Sequence, residues 1–197
     1  MDKAGLLRTI AETGYNVGFG AKKTFATFDI VEKGPGWIGF ISLAIGVYAL
    51  YVDALATKFP SATLVIAGIA ALYISFYKSG EYETAGNEQI KLFNRLRDLY
   101  RAVEGNADLA ASQDKLAQIE SEFYSVTISK QIFLSDWYAH YKFFAQTQIG
   151  WMNDQLKFKV WKDMIPLSAK TVITISALAI VGYVIGSFCV GHLLWIK

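Results

Sequence analysis

Apolar positions along this chain come in blocks, separated by segments in which they recur at helical period. The first block, residues 37–56 (WIGFISLAIGVYALYVDALA), contains one ionisable group, Asp53. A run of that length matches the ~30 Å hydrocarbon core of a bilayer. Lys58 and Pro60 predict a tight turn, and a second block follows at 61–77 (SATLVIAGIAALYISFY). So short a connection predicts an antiparallel hairpin. The third block, residues 171–196, is long enough to tilt or to leave its end among the headgroups, where His192 and Trp195 are suited to lie.

The segments outside the blocks read differently. Residues 1–36 predict one or two amphipathic helices. Asp2 caps the first, which presents Leu6, Leu7 and Ile10, and the second runs from about residue 21 to Gly34-Pro35-Gly36. Gly14, Gly18 and Gly20 between them read as a flexible turn. They do not form a phosphate loop, because Gly20-Ala21-Lys22-Lys23-Thr24 breaks the GxxxxGK[ST] spacing and no strand precedes it.

From Glu81 the pattern is that of a helical hairpin. Phe93, Leu96, Tyr100 and Val103 recur at 3–4 spacing, Glu104-Gly105-Asn106-Ala107 makes a turn, and Asp108 caps the return helix. That helix carries Leu109, Ser112, Leu116, Ile119, Phe123 and Val126. An aromatic segment, residues 136–166, comes next, with Ser135 as a possible cap. Trp137, Tyr138, Trp151 and Trp161, with Lys157, Lys159 and Lys162, read as a belt on the membrane surface, since the lysines directly precede a span. Base stacking is the weaker reading of the same residues. His140 reads as a packed or capping imidazole.

The fold class this predicts is an all-α membrane protein. It comprises N-terminal amphipathic helices (1–36), a transmembrane hairpin (37–77), a cytoplasmic antiparallel helical insert (78–170) and a third transmembrane helix (171–197). Basic residues orient it. Five precede the first span and twelve lie in 78–170, so 17 of 19 fall on one side, against Lys58 and Lys197 on the other. The positive-inside rule then puts the N-terminus in the cytoplasm and the C-terminus outside a bacterial inner membrane. No signal peptide precedes the first span, which is expected to direct its own insertion.

Composition narrows the chemistry. Charged residues make up 18% of the chain and net charge is +2, which argues against direct nucleic-acid binding. One cysteine, Cys189, and two histidines offer no disulfide and little for a metal site. No HExxH, DxxD or GxSxG is present. The expectation is a protein without catalytic residues, cofactor or metal.

Small residues inside the spans form faces. Gly39, Ser42, Gly46, Ala49, Asp53 and Ala56 share one face of the first span. Ser61, Gly68, Ala71 and Ser75 share a seam of the second, and Ala179, Gly182, Gly186 and Cys189 one of the third. Such faces let helix backbones approach closely in lipid, either within the chain or between subunits of a homo-oligomer. Asp53, on the first face, is expected to hydrogen-bond in the bundle, pair with Lys58 or ring a pore mouth.

The order of segments (a membrane hairpin, AGNEQIKLFNRLRDLYRAV, then SDWYAHYKFFAQTQIGWMNDQLKFKVWKDMIP and a final apolar segment) resembles the SLATT domain family over roughly residues 30–195. The resemblance implies a two-span effector of bacterial anti-phage conflict systems, triggered by a partner to permeabilise the inner membrane. It also implies a co-encoded reverse transcriptase or nucleotide-second-messenger system as partner. Two functions remain open: an oligomeric pore-forming or membrane-disrupting effector, and a non-catalytic anchor for a cytoplasmic partner.

Overall fold

The computed structural model describes the backbone of residues 1–194 and the side chains of residues 1–185. The chain divides into two compact units, residues 1–157 and 158–197. Every element among the described residues is helical.

The first unit is organised on one helix, α1 (Lys3–Tyr48). At 1.5 Å per residue its 46 residues extend about 69 Å. Asp2 caps it, accepting a hydrogen bond from the Gly5 amide. The expected division at Gly14–Gly20 and the expected stop at Gly34-Pro35-Gly36 are both overturned: the helix runs through them. Pro35 deletes one hydrogen bond of the ladder without ending it.

Four helices pack on the first half of α1. In α3 (Ser79–Glu104) the residues Phe93, Leu96, Tyr100 and Val103 are buried, as the 3–4 spacing predicts, and Leu92 is buried with them. It runs antiparallel to α1, since Lys3 Nζ donates to the Glu104 carbonyl at 2.7 Å and Thr24 Oγ1 to Gln89 Oε1 at 3.1 Å. The turn after α3 falls where the sequence places it, and Asp108 caps α4 (Leu109–Val126) by accepting from the Ala110 amide. Ser112, Leu116 and Ile119 are the buried face of α4.

The aromatic segment is broken rather than continuous. It forms α5 (Ser135–Gln146) and α6 (Gly150–Leu156), interrupted where Thr147 turns extended. Leu134, not Ser135, precedes α5, in the left-handed region at φ 69°.

The second half of α1 leaves this core and packs with α2 (Lys58–Ser75). Here the first span is shorter than expected. α1 stops at Tyr48, a turn follows, and residues Asp53–Ala56 form one 3-10 turn. Lys58 and Pro60 belong to the first turn of α2, a position proline tolerates because that amide has no helical partner. In the second unit, a π-turn (Val160–Met164) precedes α7 (Leu167–Leu194).

Candidate functional site

Glycines of α1 set how the first unit closes. A Cβ on Gly14 would stand 2.3 Å from the Trp151 ring, and one on Gly18 would stand 2.7 Å from Phe93 and 3.0 Å from Phe143. Gly20 faces Phe123 in the same way, and Gly86 of α3 faces Phe25. These glycines are notches for aromatic rings, not a flexible turn. Trp151 is accordingly no membrane-surface residue. It lies on Gly14 between Phe93 and Tyr100, with ring centroids at 5.9 and 5.2 Å, and its indole nitrogen is buried.

Charged pairs fasten α5 to α1. Asp29 accepts from Lys142 and, at 2.7 Å, from Lys33, while Lys23 pairs with Asp136 at 3.2 Å. Burial pushes the Asp29 carboxyl up, but the two lysines outweigh it and hold the group below its ordinary value. Lys22 is pushed down, by burial and then by the nearby Lys142. His140 bonds the Asp136 carbonyl oxygen through Nδ1 at 2.8 Å and meets the Phe19 ring edge-on, which is the packed role expected of it.

Where α1 and α2 leave the core, Val31, Tyr77, Tyr82 and Ile132 form a buried cluster, joined by Phe28, Ile74 and Ile128. The Tyr82 hydroxyl donates to the Lys130 carbonyl at 2.6 Å, and burial holds that phenol above its usual value, with Glu81 adding to the shift.

Beyond this cluster the helices are bare. Among the described residues three helices are long and apolar enough to cross a membrane: α1 through its second half, α2, and α7 over Leu167–Ile185. The most apolar stretches of α2 and α7 bury no residue at all. A Cβ added at Gly39, Gly46, Gly68 or Gly182 would meet no atom within 4 Å. Ser42, Ala49 and Ala71 are partly covered, whereas Ser75 and Ala179 are exposed. The seam read for α2 is thus divided: Ala71 shares its covered side with Leu64, Ala67 and Ile74, and Gly68 looks outward. Gly186, Cys189, His192 and Trp195 fall outside the residues whose side chains are described.

Asp53 does not continue the α1 face, because the helix has ended five residues earlier. It is exposed in the connection between α1 and α2, and among the described residues it forms no ion pair with Lys58. Of the surface set, Trp137 and Tyr138 are 38% and 37% exposed on the outer side of α5, and Trp161 is 75% exposed. Lys157 takes a left-handed conformation at the end of α6. Lys159 and Lys162 act through their backbones, the Lys159 amide donating to Asp163 and the Lys162 carbonyl accepting from Lys170.

Bare apolar helices joined to a compact packed core are what a membrane domain needs. A family model described as SMODS and SLOG-associating 2TM effector domain 6 matches residues 1–173. The chain belongs to this family. The match supports the SLATT resemblance and a membrane effector character. It covers the whole first unit of this SLATT domain and stops in the second turn of α7, so most of the helix that exceeds two spans lies beyond it. No curated protein and no solved structure matches the chain.

Proposed function

We propose that this SLATT domain is a non-catalytic effector of a bacterial conflict system that self-associates in the inner membrane and permeabilises it when a partner triggers it. The observation that carries the reading is the bare state of the apolar helices. Their outward glycines favour close helix approach in lipid, and nothing described in the chain occupies that space. In this reading α1 and α2 form a transmembrane hairpin and α3–α6 a cytoplasmic insert. The N-terminus lies inside, as the distribution of basic residues favours. The third helix crosses outward. Asp53, at the outer connection, is placed to line a cation-selective mouth in an assembly. The partner is a co-encoded sensor of the reverse-transcriptase or nucleotide-messenger class. The trigger acts by shifting helix packing between two arrangements.

The test is membrane potential, read by dye in cells expressing the protein with its genomic neighbours. Growth arrest with collapsed potential is expected, and Asp53→Asn should change conductance while leaving insertion intact. Arrest with intact potential would leave the chain as an anchor for a cytoplasmic partner.

A further inference from the structure

The hairpin is short, and its length fixes where the membrane must end. α2 has 18 residues, about 27 Å of helix, against a hydrocarbon core of ~30 Å. α1 covers about 26 Å between Val31 and its end at Tyr48. Both helices are used up in crossing, so the hydrocarbon edge falls at the Val31–Tyr77 cluster and not several turns above it. Ile132 is part of that cluster, which puts the segment between α4 and α5, residues 127–134, at the same level. It is held there by three contacts. Tyr82 bonds the Lys130 carbonyl, Thr27 donates to Gln131, and the Ile132 amide donates to Thr27 at 3.5 Å.

What this segment turns outward is apolar. Phe133 is 80% exposed and Leu134 47%, although Ile132 and Ser135 on either side are buried. Leu134 sits at φ 69°, a conformation that leucine rarely adopts. Trp137, in the first turn of α5 and three residues from Leu134, is 38% exposed. In water an exposed Phe-Leu tip on a strained backbone has no compensation, but at a headgroup–acyl boundary its burial supplies one. We propose that Phe133 and Leu134, with Trp137 beside them, insert into the leaflet that faces the packed helices and anchor that core against the membrane. This rests on the membrane reading of α1 and α2.

Electron-spin-resonance depth measurement on the full chain in lipid bilayers tests it. Single spin labels go on Phe133→Cys, Leu134→Cys, Val65→Cys and Asn106→Cys, each with Cys189→Ser. Val65 is exposed in mid-α2, and Asn106 lies at the far end of the core, where its Oδ1 accepts from Lys3. Labels at 133 and 134 should be relaxed more by oxygen than by a water-soluble nickel chelate, with the order reversed at 106 and the deepest signal at 65. A deep label at 65 with water-like labels at 133 and 134 overturns the anchor alone. Labels at 133 and 134 shielded from both reagents would mean that another copy of the chain covers the tip, which also overturns it. A water-like label at 65 overturns the membrane reading and the anchor with it. Because 133 and 134 are both exposed, fold loss in one variant leaves the other to decide.

Discussion

At the scale of single residues, the glycines of this chain divide into two kinds that the sequence does not distinguish. Gly14 and Gly18 are filled from outside by rings, so Gly14→Ala or Gly18→Ala forces a tryptophan or phenylalanine out of place. Overpacking of this sort costs about 1–3 kcal/mol, and a lowered melting temperature of the detergent-solubilised chain should report it. Gly36→Ala, with nothing within 4 Å, should leave melting unchanged or raise it, since alanine is the better helix former. Asp29 gives a pH dependence with a definite sign. Its folded pKa lies below the ordinary 3.8, so the bonds from Lys142 and Lys33 stabilise the fold above that value and are lost as pH falls through the folded pKa. Melting temperature should therefore drop below about pH 4 in wild type, and Asp29→Asn should be less stable at neutral pH with a flatter acid limb. Residues like these are the least legible in sequence. Glycine content suggests a turn at Gly14–Gly20, and the lysines before the last span suggest a surface place for Trp151, because the rings that fill or cover these residues lie more than 50 residues away in the chain.

At the scale of elements, the aspartate caps and the apolar period of the packed helices are legible in the sequence. Asp2 and Asp108 cap the helices they were expected to cap, and the apolar period of α3 marks its buried face. Helix ends that packing decides are less legible. Gly34-Pro35-Gly36 has the composition of a stop, yet Ile74 rests against Gly34 and joins the cluster that holds Val31, so packing against α2 carries the helix through. The far end of α1 shows the converse, since an apolar run continued to residue 56 while the helix ended at Tyr48. If the outward glycines of α1 and α2 serve self-association, Gly46→Ile or Gly68→Ile should reduce chemical cross-linking between copies in membranes several-fold. The same variants should leave the melting of the first unit unchanged, because a side chain there meets open space. Equal cross-linking in the variants would remove both faces from the assembly.

At the scale of the whole molecule, the sidedness proposed from basic residues predicts that a cysteine at Lys58 is labelled by an impermeant maleimide in intact spheroplasts. One at Asn106 should be labelled only after lysis, and equal labelling of both would refute the topology. The continuity of α1 bears on how the molecule is made. Its first half contacts residues that are synthesised much later: Lys3 bonds Glu104 and Asn106, Thr13 bonds Glu120, and Gly14 receives Trp151. A ribosome delivers the apolar second half of α1 and α2 well before it delivers α6. Until α3 follows, Leu6, Ile10 and Val17, all fully buried in the finished fold, have nothing to cover them. The nascent chain therefore passes through a stage with both apolar helices made and its leading helix uncovered, and α6 closes it last.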